Sequence, residues 1–239
     1  VLTFVLFLLV MPRWAALRWS EPRPWAALGI CGANPQEQPA PAAALLKGLL
    51  IAAGLLTVIT SVVLIDGSGD WRGEVDATQL TNAVLLCLGV GFAEELIFRS
   101  WLWEELSRMM GARRGALAQA SIFSLVHTRF NLGLAAMSGL LIGLFLLGMV
   151  LAIQRQADQG SLWGCIGLHG GLVAGWFLLQ SSLIQLSPNA PFWLVGPGES
   201  APNPLGGAVG LLSLLILLLI QRTAVAKALR PSTGARRAS

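Results

Sequence analysis

Charge is what this sequence has least of. Charged residues make up 12% of its 239 positions, where an average soluble domain carries roughly 25%. So little polar surface cannot keep a globule in water. The net charge of +4 sits in loops, where membrane topology accounts for it, so no nucleic-acid partner is expected. Cysteine is scarce as well. Cys87 and Cys165 fall inside apolar runs and Cys31 in a loop, so these three support neither a disulfide framework nor a Cys-x-x-Cys metal pair. The chain has no internal repeat, no His-Glu-x-x-His helix and no stretch outside the apolar runs long enough to bury a core of its own. No basic stretch precedes the first apolar run and no clear small-residue cleavage site follows it, which argues against a signal peptide. Disorder and fibrous repeats are excluded by the aliphatic content and by glycines and prolines that follow no fixed period.

What is present is hydrophobic length. Apolar residues make up 55% of the chain and mean hydropathy is +0.69. The apolar runs are unbroken rather than alternating, so they predict membrane helices and not barrel strands. The expected fold is an all-α, polytopic membrane helix bundle of about seven segments. A first run, Val1 to Met11, is the end of a longer span or continues to Trp19. The others are Ala42–Ile65, Leu80–Leu106, a short Ala116–Phe130, Leu132–Ile153, Leu162–Leu186 and Leu205–Ile220. The domains expected are an N-terminal segment with a Pro-rich loop (1–41), a bundle (42–221) and a basic tail (222–239). Residues 66–76 and 187–204 read as polar loops. With the first loop cytoplasmic, alternation puts 14 of the 16 Lys and Arg residues inside and leaves only Arg72 and Arg129 on the other side. That sorting supports the segmentation and predicts a cytoplasmic C-terminus.

Ionisable groups at membrane depth are expensive and therefore mark function by default. They form a short list: Glu94, Glu95, Arg99 and the only two histidines, His127 and His169. At ~1.5 Å of rise per residue, Glu94 lies roughly 21 Å from one helix end, and His127 and His169 roughly 17 and 12 Å from the other. Three helices can therefore bring one carboxylate and two imidazoles to one level. Glu95 and Arg99 are spaced i, i+4 with the acid first, the favourable order for an ion pair. Glu94 has no basic residue at i±3 or i±4 and is the candidate general base. Glu104 and Glu105 read as a solvated rim. Gly139, Gly143 and Gly148, with Gly167, Gly170 and Gly171, read as close helix packing, and the Gly139–Gly143 spacing also fits dimerisation. Trp14, Trp19, Trp101, Trp103, Trp163 and Trp193 read as interfacial anchors and Trp176 as core. The segment 116–130 is short for a crossing. Its helix must begin near Arg113, or the turn 128–131 must be sunk in the protein, with Arg129 facing an acidic group or water near a polar cavity.

These residues resemble a family. Glu94-Glu95-Leu96-Ile97-Phe98-Arg99 is similar to the Glu-Glu-x-x-x-Arg motif of the CPBP family, the CAAX-type proteases and bacteriocin-processing (Abi) proteins. Phe123 to His127 resembles its Phe-x-x-x-His motif. Gly160 to Gly170 resembles the approach to a third motif, a His followed four residues later by Asn or Asp. The motifs span about 85–184. The resemblance implies an intramembrane glutamic endopeptidase acting on membrane-associated peptides or lipid-modified proteins, with no cofactor. Glu94 would activate water, His127 help hold it, and His169 stabilise the oxyanion. Glu95, Arg99 and Phe123 would support the site. Val173 stands where the family often has Asn, which removes an expected amide donor. Gln180 falls nearly two turns further on and is not a substitute by spacing.

Three other readings use the same residues. Glu94, His127 and His169 could instead hold zinc, as in a metalloendopeptidase. Val173 motivates a non-catalytic scaffold, chaperone or immunity-type protein. A transporter is the third, although no paired Gly/Pro-broken helices stand at corresponding places in two halves.

Overall fold

The computed structural model describes residues 2–31, 38–198 and 201–228. The tail from 229 onward and the middle of the Pro-rich loop, 32–37, lie outside the described residues. The chain runs α1 (Leu2–Arg18), α2 (Pro24–Ala27), α3 (Pro41–Ile65), β1 (Gly69–Trp71) and α4 (Ala77–Glu95). A π-helical turn (Leu96–Leu102) leads without a break into α5 (Trp103–Met110). Then come α6 (Ala112–Leu125), α7 (Leu134–Ala157), α8 (Trp163–Leu178) with a π turn (Leu179–Leu183), β2 (Ile184–Leu186), α9 (Phe192–Val195) and α10 (Ala208–Ala228).

The protein is an all-α membrane helix bundle. Among the described residues, four helices are long and apolar enough to cross a membrane: Pro41–Ile65, the continuous Ala77–Met110, Leu134–Ala157 and Ala208–Val225. Each of the expected seven segments holds a helix, but three fall short of that measure. α1 has 17 residues, α6 has 14, and α8 has 16 before its π turn. α6 starts at Ala112, as one of the two sequence alternatives required, yet covers only ~21 Å of a ~30 Å core. Two ends are corrected. The sixth segment closes at Leu183, and residues 184–186 form a strand antiparallel to 69–71. The last helix begins at Ala208, after a 3-10 turn at Pro204–Gly206.

α8 is the axis of the bundle. Ten of its 16 residues are buried, from Gly164 to Trp176. It lies between α3 and α4 at backbone contact, and glycine is what permits this. A Cβ on Gly167 would stand 2.2 Å from the Leu45 carbonyl, and one on Gly170 would stand 2.2 Å from that of Cys87. Backbone cannot yield as a side-chain tip can. Gly170→Ala should therefore lower stability by about 1–3 kcal/mol, the usual penalty for overpacking. Thermal unfolding in detergent checks this; a melting curve unchanged from wild type contradicts it.

Gly139 and Gly143 pack within the chain rather than at a dimer seam. Their missing side chains make room for the carbonyls of Gly206 and Leu205, at 2.6 and 2.3 Å from where each Cβ would be. The segment 202–207 is thus held inside the bundle, with Pro202, Pro204, Leu205 and Gly206 buried. Its composition had pointed in part to a surface loop.

Several polar groups also differ from expectation. Glu105 is no solvated rim: its Oε1 accepts from the indole N–H groups of Trp14 and Trp19, both at 2.6 Å, and so docks α1 on α5. Trp19 and Trp103 are buried rather than interfacial. Asp158 accepts from Lys47 at 3.0 Å and from Gln154 at 2.6 Å, and Gln154 accepts in turn from Gln221 at 2.8 Å. That chain of bonds ties the ends of α3 and α7 to α10.

Candidate active site

The close approach of α4 to α8 sets the geometry. Gly91, one turn before Glu95, faces Gly170, with 2.8 Å from its would-be Cβ to the Gly170 Cα. The neighbouring side chains then meet across the seam. Glu95 Oε1 is 2.7 Å from Nδ1 of His169 and 3.0 Å from Nη1 of Arg99. Glu95 and Arg99 are both fully buried. The i, i+4 pair expected from spacing is present, but Glu95 does more than neutralise Arg99. A carboxylate can only accept, so Nδ1 of His169 carries the proton and its Nε2 lone pair points away. Sequence spacing did not show this second role, because the partner is 74 residues away on another helix.

Phe123 is the hub of the site. The Arg99 guanidinium stacks over its ring at 4.0 Å from the centroid. Phe98, His127 and His169 pack around it at 5.1, 4.8 and 5.7 Å between ring centroids. The π turn after Glu95 carries Phe98 and Arg99 to this hub, and π turns often mark functional positions. Arg155, in the last turn of α7, is buried. It donates to the carbonyls of Arg99, Gly160 and Ala27, fixing the π turn from behind.

His127 stands in the turn just after α6 rather than within a helix. The Phe123 carbonyl at this helix end needs a donor. The imidazole supplies it, through Nδ1 at 2.7 Å. Its Nε2, like that of His169, is left with a lone pair. Both lone pairs face one oxygen. Glu94 Oε2 lies 3.6 Å from Nε2 of His127 and 3.9 Å from Nε2 of His169. It makes no hydrogen bond to any described residue. The structure therefore gathers one carboxylate, free of hydrogen bonds at this oxygen, and two imidazoles, from three elements, at a single point. Gaps of this size are too long for direct hydrogen bonds and suit a bridging water.

This point opens on a cavity of ≈ 320 Å³. Glu94, His127 and His169 line it, with apolar walls from Leu56, Leu144, Leu147, Leu172 and Val173. Arg129 lines it too and donates to the Ala201 carbonyl at 3.1 Å. It stands at the cavity, as expected, and the described side chains put no acid against it. Gln180 and Asn203 also face the cavity. Gln180 lies nearly two turns after Val173 and so on the same face of the helix, further along the cavity wall. Asn203 carried no sequence signal, since Pro-Asn-Pro reads as loop. No three His, Cys, Asp or Glu side chains among the described residues are grouped to hold a metal ion.

Residues 76–175 match the model of one protein family, described as Type II CAAX prenyl endopeptidase Rce1-like. The core of this protein is an Rce1-like domain. That domain contains Glu94, Glu95, Arg99, His127 and His169, singled out by their cost and spacing, and Phe123 and Val173, marked by the resemblance alone. Over residues 76–175 the match supports the CAAX protease resemblance of the motifs. No curated protein and no solved structure matches the chain. Gln180 and Asn203 lie beyond the Rce1-like domain yet line its cavity.

Proposed function

We propose that the protein is an intramembrane endopeptidase that cleaves lipid-modified peptides with a water activated by Glu94. The observation that carries this is the convergence of His127 Nε2 and His169 Nε2 on Glu94 Oε2, beside an apolar cavity. A water seated there donates one proton to Glu94 and its second toward an imidazole lone pair. As Glu94 takes the proton, the water oxygen bonds to the substrate's carbonyl carbon and the C=O pair moves onto oxygen. When that pair returns, the C–N bond breaks and the departing nitrogen takes the proton from Glu94. The products are an amine and a carboxylic acid, which still carries the second water proton and gives it up to solvent after release. Glu95 and Arg99 act from behind, fixing the tautomer and orientation of His169, in the manner of a triad's buried acid. Every proton in this sequence has a donor and an acceptor among these side chains, so the reaction as written calls for no metal ion. The apolar cavity wall suits a substrate with a lipid or strongly apolar side chain. The basic helix ends and the tail face the cytoplasm in this reading.

The test is cleavage of a short farnesylated peptide by the full chain in liposomes, read by mass spectrometry. A product shortened at its C-terminal end supports the reading, and the rate should persist in excess chelator. Loss of activity in chelator that added zinc restores would overturn the metal-free mechanism. A second reading, a non-catalytic scaffold, draws on Val173. The two separate in cells: a scaffold keeps its function in Glu94→Gln, and a peptidase does not.

A further inference from the structure

Neither imidazole gives the site described above a donor for the oxygen that becomes negative, and the polar N–H side chains left on the cavity wall are Arg129, Gln180 and Asn203. His127 gives its Nδ1 proton to the Phe123 carbonyl and His169 gives its own to Glu95, so as neutral rings neither presents an N–H at Nε2. Trp176 Nε1, also at the cavity, is bound to the Pro202 carbonyl at 2.7 Å. On α8, Val173 offers only methyl groups. A tetrahedral intermediate formed here needs N–H donors from elsewhere, and such donors contribute as much to peptide hydrolysis as any other single group.

Asn203 is built for that task. Its Oδ1 accepts from the Leu205 amide at 3.1 Å, so the –NH₂ is the end left for the cavity it lines. Its backbone is fixed on both sides. Asn203 N donates to the Pro197 carbonyl at 2.9 Å, and prolines stand before and after it. Ala201 is held by Arg129, Pro202 by Trp176, and Leu205 sits against Gly143. A polar side chain on a segment gripped at so many points is preorganised, which is what charge stabilisation requires. Asn203 is half-buried between two buried prolines, and its amide has no partner besides its turn and this cavity among the hydrogen bonds of the described residues.

We infer that the amide of Asn203 donates to the carbonyl oxygen of the scissile bond and stabilises it as an oxyanion. The inference rests on the peptidase reading and adds a catalytic residue from outside the Rce1-like domain. As the water oxygen bonds to carbon, the displaced C=O pair is held by the Nδ2 protons of Asn203. As it returns, the C–N bond breaks and nitrogen takes the proton carried by Glu94. Asn203 itself gains and loses nothing.

The test compares Asn203→Asp, Asn203→Ala and Gln180→Leu in liposomes with the farnesylated peptide. Asn203→Asp keeps the acceptor that caps Leu205 but removes the amide donor. Both Asn203 variants should lose about 10²–10³-fold in kcat with little change in KM. Affinity for a phosphinate peptide, which mimics the tetrahedral centre, should fall in parallel. Adding Val173→Asn to Asn203→Ala should restore part of kcat, because α8 then supplies an amide one turn after His169. Wild-type kcat in Asn203→Asp, with a loss only in Asn203→Ala, shows a turn cap and overturns the inference. A loss that follows Gln180→Leu alone overturns it as well. Wild-type cleavage by Glu94→Gln overturns the peptidase reading beneath it, whatever Asn203 does.

Discussion

Glu94→Gln should reduce peptide cleavage by about 10²–10⁴-fold, the usual worth of a positioned general base, while leaving the protein folded. The reason is local. Oε2 is the atom on which both imidazole lone pairs converge, and it has no hydrogen-bond partner among the described residues. Glutamine keeps the shape and the apolar fit of the side chain but cannot accept a proton from water. Helicity and thermal unfolding in detergent should match wild type, because Glu94 carries no structural ion pair of the kind seen at Glu95. A variant that unfolds early, or one that cleaves at the wild-type rate, contradicts this assignment.

Glu95→Ala should have the larger effect on stability. Removing this carboxylate leaves Arg99 fully buried with no counter-charge and leaves Nδ1 of His169 with no acceptor. Breaking a buried pair on one side typically costs about 3–5 kcal/mol. Replacing both partners with apolar residues of similar volume, Glu95→Leu with Arg99→Met, should recover much of that stability, since no charge is then stranded. It should not recover activity, because nothing holds the His169 tautomer. Melting temperatures and cleavage rates measured together on the single and double variants check both halves. Restoration of activity along with stability would show that Glu95 serves only to neutralise Arg99.

The sequence was most informative where membrane physics makes polar groups rare. With only two histidines and few carboxylates at apolar depth, Glu94, His127 and His169 could be singled out by their cost alone. Glu95–Arg99 was legible because both partners lie on one helix, where spacing is geometry. What stayed hidden depends on contacts between elements. The bond from Glu95 to His169 follows from glycine-to-glycine packing of α4 on α8, which sequence marks as close packing without naming the partner. The π turns at 96–102 and 179–183 change helical phase by backbone geometry that composition does not record. Gln180, nearly two turns after Val173, returns to the same helix face, and both line the cavity. The Pro-Asn-Pro segment has the composition of a surface loop, and its burial rests on glycines that admit its carbonyls and those of its neighbours, Gly139, Gly143, Gly196 and Gly210. The short strands at 69–71 and 184–186 are three residues each, too few for alternation to register.

The central claim is that water attacks the peptide bond directly, without a covalent enzyme intermediate. Cleavage of the farnesylated peptide in water enriched in heavy oxygen, with hydroxylamine as a competing nucleophile, tests this most directly. Direct attack places a solvent oxygen on the new carboxylate, gives no hydroxamate and leaves the protein's mass unchanged throughout turnover. A hydroxamate product, or a peptide adduct on the protein, would contradict the account.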